Sequence, residues 1–457
     1  MYYNIINGFD QTDIGRCIRL KRSLLLAIFC TLFLSSLLTV AVVFSGGGGR
    51  GAYQVGVYGA LLDLDIEIEG IFGASVGAIN AAGIISEGYE ATRDFWYGMD
   101  YTQLMKASPE LYDLLQGKFF SLNTLELASA LRLLTAKGGI DVSPLREKLQ
   151  KLISEEKIRK SRMDFGVVAY SLSDVRPFVI YKENCPKGLL VDYVLASANF
   201  PAFKREEIGN ELFIDGGVYS NIPLFMARER GFKEVVAVDV MGLRIGNSLA
   251  YVNLFNEGME VILLEPSQQF GTVMTFDGEI SVKYVICGYL DTMKAFGKLV
   301  GDRYFIFGDS DPLADRFLCL DLASRCEALA LVGLKAVENA PAEYHYYRQL
   351  IPWLETVMDC EFTSPALTVM KVLEELAEFL EIDRLWPYTP GLILEKVEST
   401  WDPALYIHER SVQFLTKYNK LLRLVTYVSE KSPYSGVESA DFAEFVEKFR
   451  LRLSLSN

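Results

Sequence analysis

Histidine is nearly missing from this 457-residue chain: there are two, His345 and His408, and none in the first 344 positions. Any chemistry in that long stretch must therefore do without an imidazole as ligand or proton carrier. The seven cysteines (Cys17, Cys30, Cys185, Cys287, Cys319, Cys326, Cys360) are scattered, odd in number and never spaced Cys-x-x-Cys, which excludes a zinc ribbon and a disulfide framework. Positive charge is also short. Lys and Arg total 45 against 59 Asp and Glu, a formal net charge of −14, so nucleic acid is not an expected partner. Internal repeats and low-complexity segments are absent as well. Half of the residues are hydrophobic, ample for a core and enough length for two domains.

The first 38 residues are ambiguous. Arg16, Arg19, Lys21 and Arg22 precede an uncharged apolar run from Ser23 to Phe44. Its last part, TVAVVF at 39–44, leads directly into a glycine loop and reads as a buried strand. That leaves about 16 apolar residues, short of the roughly 20 a membrane span needs. Three readings stand: a signal or anchor ending near Ser36–Leu38, a helix packed on the domain, or a start assigned too far upstream. The first makes the protein membrane-associated or exported, the last cytoplasmic.

Beyond residue 38, β-branched runs at 39–44, 68–73, 164–171, 177–182, 234–240 and 260–264 alternate with helical patterns. This alternation predicts an α/β domain over 39–305 whose central sheet is mostly parallel and flanked by helices. The leucine-rich stretch 99–140 predicts helix that either packs on the core or covers a site, and Ser143-Pro144 predicts a helix start. From 306 to 457 the pattern is helical, with 313–337, 341–360, 364–381, 405–430 and 438–453 as segments and a loop at Trp386-Pro387 and Thr389-Pro390.

Three short stretches carry chemistry. Gly46-Gly47-Gly48-Gly49-Arg50-Gly51 lies between strand and helix, where glycine backbones can turn several N–H groups onto one anion, a phosphate or an oxyanion. A P-loop is excluded because Arg50-Gly51-Ala52 replaces the required Gly-Lys-Ser/Thr ending. A dinucleotide-binding loop remains open: Gly46, Gly48 and Gly51 fit G-x-G-x-x-G, with Glu67 and Glu69 near the distance of a ribose-binding acid. The second stretch, Gly73-Ala74-Ser75-Val76-Gly77, is a G-x-S-x-G nucleophile elbow in strand–turn–helix context, with the Val76 N–H pointing toward the same place as the serine oxygen. On its own it is equally a small residue at a tight helix entrance. A serine needs a proton acceptor. With no histidine in the region, the carboxylate of Asp215 in Leu212-Phe213-Ile214-Asp215-Gly216-Gly217 becomes the candidate base, against the plainer reading of an Asp-Gly turn.

Taken in order, Gly46–Gly51, Gly73–Gly77, Ala196-Ser197-Ala198-Asn199-Phe200-Pro201, Asp215-Gly216-Gly217 and Asn221-Ile222-Pro223 resemble the patatin-like phospholipase family over about residues 38–300. The resemblance implies a lipid acyl hydrolase without metal or cofactor. Ser75 would be its nucleophile and Asp215 its base. The N–H groups of Gly47, Gly48 and Gly49, with Val76, would form the oxyanion hole, and Arg50 would steady the loop. Gly46, Gly51, Gly73, Gly77, Gly216 and Gly217 would support this arrangement. The expected substrate is a phospholipid or other long-chain acyl ester met at a membrane surface. The competing functions are a dinucleotide-binding protein and a membrane-lipid-binding protein without turnover. Acyl transfer to an acceptor other than water would share the same site.

Overall fold

The computed structural model describes residues 39–106, 139–241, 258–359, 364–402, 412–432 and 439–455. The N-terminal segment 1–38, most of the leucine-rich stretch and His408 lie outside them. The chain divides into two compact units, Met1–Phe296 and Gly297–Asn457.

The first unit is built on an eight-stranded sheet: β1 (Val40–Phe44), β2 (Ile68–Ala74), β3 (Asp164–Ser171), β4 (Arg176–Tyr181), β5 (Glu206–Ile208), β6 (Glu211–Asp215), β7 (Glu234–Val238) and β8 (Glu260–Leu264). The order is β5-β6-β3-β2-β1-β7-β8, with β4 also paired to β3. The pairs β3–β2, β2–β1, β1–β7 and β7–β8 are parallel, while β4, β5 and β6 add antiparallel ladders at one side. Every residue of β1 and β7 is buried, as the unbroken apolar runs predict for parallel strands covered on both faces.

Helices α1 (Ala52–Asp63), α2 (Val76–Tyr97), α3 (Ser143–Leu152), α4 (Leu190–Ser197), α5 (Leu224–Glu229) and α6 (Gly278–Ala295) flank this sheet. One face packs Ala41, Val43, Phe72, Ala74 and Val168 against Leu224, Met226 and Ala227 of the α5 segment. The expected start at Ser143-Pro144 is found, with proline in the first turn of α3. Strand β5 was not anticipated, because three residues are too few to show a period.

The register of β3 decides what meets what. Its residues 164–168 pair with β2, and its residues 169–171 pair with β6. Strand β4 occupies the opposite edge of β3 along 166–171, so β2 and β6 share one edge, end to end. Ala74 lies opposite Val168 and Asp215 opposite Ala169, the next residue. The chain leaving β2 at Ser75 therefore arrives beside the last residue of β6.

The second unit is mainly helical: α7 (Pro312–Leu318), α8 (Leu322–Leu331), α9 (Ile351–Met358), α10 (Pro365–Phe379), α11 (Pro390–Thr400), α12 (Val412–Lys431) and α13 (Ala440–Leu453). The first six enclose a core that includes Phe317, Leu329, Leu354, Leu376, Leu394 and Leu422. Two expectations are corrected here. Pro387–Tyr388 forms a short parallel ladder with Phe305–Ile306 rather than a plain loop. Thr389-Pro390 opens a helix, because the Thr389 Oγ1 accepts the Leu392 N–H at 3.1 Å and proline suits the first helical position. Among the described residues no helix is long and apolar enough to cross a membrane.

Candidate active site

Ser75 sits between β2 and α2 with φ 55° and ψ −128°, a left-handed backbone that a side-chain-bearing residue adopts only under constraint. The constraint is local. A Cβ at Gly73 would lie 2.3 Å from the Gly77 carbonyl oxygen, so the turn closes only with glycine there. The Ser75 N–H donates to the Ser197 Oγ at 3.0 Å, and that hydroxyl donates to the Val168 carbonyl at 2.6 Å. Ser197 thus ties the elbow to β3 and α4. Ser197 falls in the Ala196–Pro201 stretch that carries the family resemblance, yet no local pattern reveals this contact.

The Ser75 hydroxyl donates to Asp215 Oδ2 at 2.5 Å, across 140 positions of chain. The other carboxylate oxygen, Oδ1, accepts the Gly217 N–H at 2.7 Å, and the Asp215 N–H donates to the Asn199 carbonyl at 2.9 Å. Both residues are only 9% exposed. Burial raises the Asp215 carboxyl from 3.8 to about 6, against the opposing pull of the hydrogen bonds from Ser75 and Gly217. His345 lies in the other unit, buried, with its Nε2 3.0 Å from the Val337 carbonyl.

The glycine loop lies above the same point. Ser45 N–H donates to Val238, Gly46 N–H to Asn221 and Arg50 N–H to Gly47. Gly49 N–H donates to the Val273 carbonyl at 2.8 Å, and Gly49 does not line the cavity described below. This corrects the expectation for Gly49: its amide is committed to holding the loop. Gly47 and Gly48 donate to no backbone carbonyl among the described residues, and both face the cavity. Val76 is the first residue of α2, so its N–H has no partner within the helix. Gly48 has φ 56°, and a Cβ there would lie 2.0 Å from the Val273 oxygen, so both conformation and space demand glycine. Arg50 anchors the loop laterally, donating from Nε to the Gly271 carbonyl at 3.2 Å and from Nη2 to Gln269 Oε1 at 3.3 Å.

Ser75, Asp215, Gly47, Gly48 and Val76 border one cavity of about 330 Å³. Its remaining wall is largely apolar, with Leu104, Leu145, Phe203, Val273, Met274 and Phe276, and Asp215 is its single ionisable lining residue among those described. Such a space suits a hydrocarbon chain better than a charged ligand. The dinucleotide reading fails on placement. Glu67 and Glu69 stand at the start of β2, level with Val40, whereas the glycine loop follows Phe44 at the far end of β1. A ribose held at that loop would be a strand length from either acid.

Residues 42–228 match the family model described as patatin-like phospholipase. Among curated proteins the chain is similar to patatin-like phospholipase domain-containing protein 7 of Mus musculus, 25% identical over 209 residues, 44% of this chain and 13% of that protein. Protein 6 of the same series in Homo sapiens is 24% identical over 205 residues, again 44% and 13%. The match therefore spans about an eighth of the length of these relatives. Among solved structures, VipD from Legionella pneumophila superposes with a TM-score of 0.35 at 15% identity, covering 88% of this chain and 92% of that one. The type III effector protein ExoU superposes at 0.33 with 15% identity, covering 91% and 80%.

Proposed function

We propose that the chain hydrolyses carboxylic esters of long-chain acyl lipids through a Ser75–Asp215 dyad. The observation that carries this reading is the 2.5 Å hydrogen bond from the Ser75 hydroxyl to Asp215, at the border of an apolar cavity. The match of residues 42–228 to the patatin-like phospholipase family model supports the reaction class.

In the proposed reaction the Ser75 proton passes to Asp215 as Oγ attacks the ester carbonyl. The N–H groups of Gly47, Gly48 and Val76 receive the negative charge that develops on the carbonyl oxygen. Asp215 then returns the proton to the departing alcohol, leaving an acyl-serine. Water attacks that ester, gives its proton to Asp215, and Ser75 recovers it as the fatty acid leaves. A carboxyl poised at about 6 is a stronger base than an ordinary carboxylate and is still ionised at neutral pH.

The substrate meets the site at an apolar rim. Val218 lines the cavity and is also 59% exposed, and Tyr219 beside it is 51% exposed, so the apolar lining continues to the outside. A lipid surface is the partner that fits such a rim.

The test is labelling of the intact chain with a fluorophosphonate and peptide mapping, beside hydrolysis of a long-chain ester. Ser75 should carry the label, and Ser75→Ala should fold normally while losing both label and turnover. Wild-type turnover by the folded Ser75→Ala protein would end the proposal. Lipid binding by a wild-type protein that takes no label would favour the non-catalytic lipid-binding alternative.

A further inference from the structure

Beneath the glycine loop runs a buried chain of polar side chains that the reaction above does not use. Trp96 Nε1 donates to Asn80 Oδ1 at 2.8 Å. Asn80 Nδ2 donates to the Gly51 carbonyl at 2.8 Å and to Gln54 Oε1 at 2.8 Å. Gln54 Nε2 donates to the Ser45 carbonyl at 2.7 Å. Gln54, Asn80 and Trp96 are all fully or almost fully buried.

The direction of this relay is fixed by its ends. An indole N–H only donates and a peptide carbonyl only accepts. Asn80 must therefore turn its oxygen to Trp96, which sends both amide hydrogens to Gly51 and Gln54. Gln54 must then accept from Asn80 and donate to Ser45. Each amide has one workable orientation, and the two carbonyls at its far end bracket Gly46–Gly51 at entry and exit. Asn80 lies on the part of α2 that Ser75 opens and whose first residue is Val76, and Trp96 lies on its second part, beyond a break at Gly88 (φ 90°, ψ 179°) that the Trp96–Asn80 bond spans. The indole also packs against the loop: a Cβ at Gly51 would lie 2.9 Å from Trp96 Cζ2 and 2.5 Å from Val76 Cγ2.

We infer that Trp96, Asn80 and Gln54 are positioning residues that hold the Gly47 and Gly48 amides in register with Ser75 and Val76. This rests on the hydrolase reading. The relay makes the loop and the nucleophile helix one rigid piece, so the donors of the oxyanion hole keep the spacing on which transition-state stabilisation depends. The loop's other hydrogen bonds, from its backbone to Val238, Asn221 and Val273 and from Arg50 to Gly271 and Gln269, do not reach α2.

The experiment compares the full-length wild type, Asn80→Asp and Trp96→Phe in hydrolysis of a soluble p-nitrophenyl ester of a medium-chain fatty acid, with thermal melts alongside. The carboxylate of Asn80→Asp can still accept from Trp96 but can donate to neither Gly51 nor Gln54. Trp96→Phe keeps an aromatic ring, at the loss of the indole edge against Gly51, and removes the one donor that orients Asn80. Both should lower kcat, Asn80→Asp by about 10- to 100-fold and Trp96→Phe by less, with KM within about twofold of wild type. A purely structural role would lower the melting temperature and leave kcat unchanged in assays run well below it, and that result overturns the inference. Where Asn80→Asp does not fold, Trp96→Phe decides by the same criterion. Ser75→Ala is assayed in parallel: its retained turnover would remove the hydrolase reading itself, whereas its loss together with wild-type kcat in the folded relay variants would remove only the positioning role.

Discussion

Asp215→Asn should make the first unit more stable at neutral pH while abolishing turnover. Burial raises this carboxyl from 3.8 to about 6. At about 1.4 kcal/mol per tenfold change in proton affinity, the native state disfavours the ionised form by about 3 kcal/mol relative to the unfolded chain. The sign follows from where the protons sit. Below pH 3.8 both states are protonated and nothing is lost. As pH rises toward about 6 the unfolded chain ionises first, native stability falls, and above that the loss is complete. The amide in Asp215→Asn has the same shape, keeps an acceptor for the Gly217 N–H and offers its NH₂ to the Ser75 oxygen, so the ionisation cost disappears and the contacts persist. After discounting for a weaker bond to Gly217, the gain at pH 7.5 should be about 1–3 kcal/mol, or several degrees in the thermal transition, and it should fade toward nil near pH 3.5. Calorimetry at the two pH values reads this directly. Since most substitutions destabilise, equal destabilisation at both pH values would refute the argument that the site keeps its base at a cost in stability. Turnover should fall by about 10²–10⁴-fold at the same time, because an amide cannot take the serine proton. In the wild type kcat/KM should drop about tenfold per pH unit below about 6, and a flat profile through that range would remove Asp215 as the base.

Two further outcomes follow from the loop and the rim. Gly48→Ala puts a Cβ on a residue at φ 56° and 2.0 Å from the Val273 oxygen, so it should lose more than about 2 kcal/mol of stability and most activity; urea titration with an ester assay checks it, and wild-type values in both would contradict the described loop. Tyr219→Ser, in a Ser75→Ala background that cannot turn over lipid, should weaken co-sedimentation with phosphatidylcholine vesicles by about 3- to 10-fold through lost apolar burial, and unchanged binding would take Tyr219 out of the lipid-facing rim.

The sheet was legible because its inner strands are buried on both faces. VAVVF at 40–44 and EVVAV at 234–238 carry no polar alternation to confuse the reading. Ser75 was legible because an elbow needs small residues at fixed positions, and Gly73 and Gly77 supply them. Asp215 was reached by a different route, the lack of histidine, and its contact with Ser75 arises from a register that no local pattern reveals: β2 and β6 meet on one edge of β3. Strand β5 and helix α11 escaped for opposite reasons. One is too short to have a period, and the other hides its start in a Thr-Pro pair that reads equally as a turn.

Gly49 shows most clearly why consecutive glycines do not have one role. Four in a row suggest four equivalent amides, yet a chain turning through a 3₁₀ segment points successive N–H groups in different directions. Two of them can face an oxyanion only if a neighbour is held fast elsewhere, and the Gly49 N–H does that by donating to Val273. The same segment supplies the Gly271 carbonyl that receives Arg50, so residues 271–273 clamp the loop from the side while Gln54 and Asn80 clamp it from below. A substitution at Val273 that preserves its backbone should therefore leave Gly47 and Gly48 facing the cavity, whereas a shift of that backbone would release Gly49 and let the loop turn its amides away from Ser75. Backbone placement, rather than the chemistry of any side chain on that segment, is what the glycines require of their surroundings.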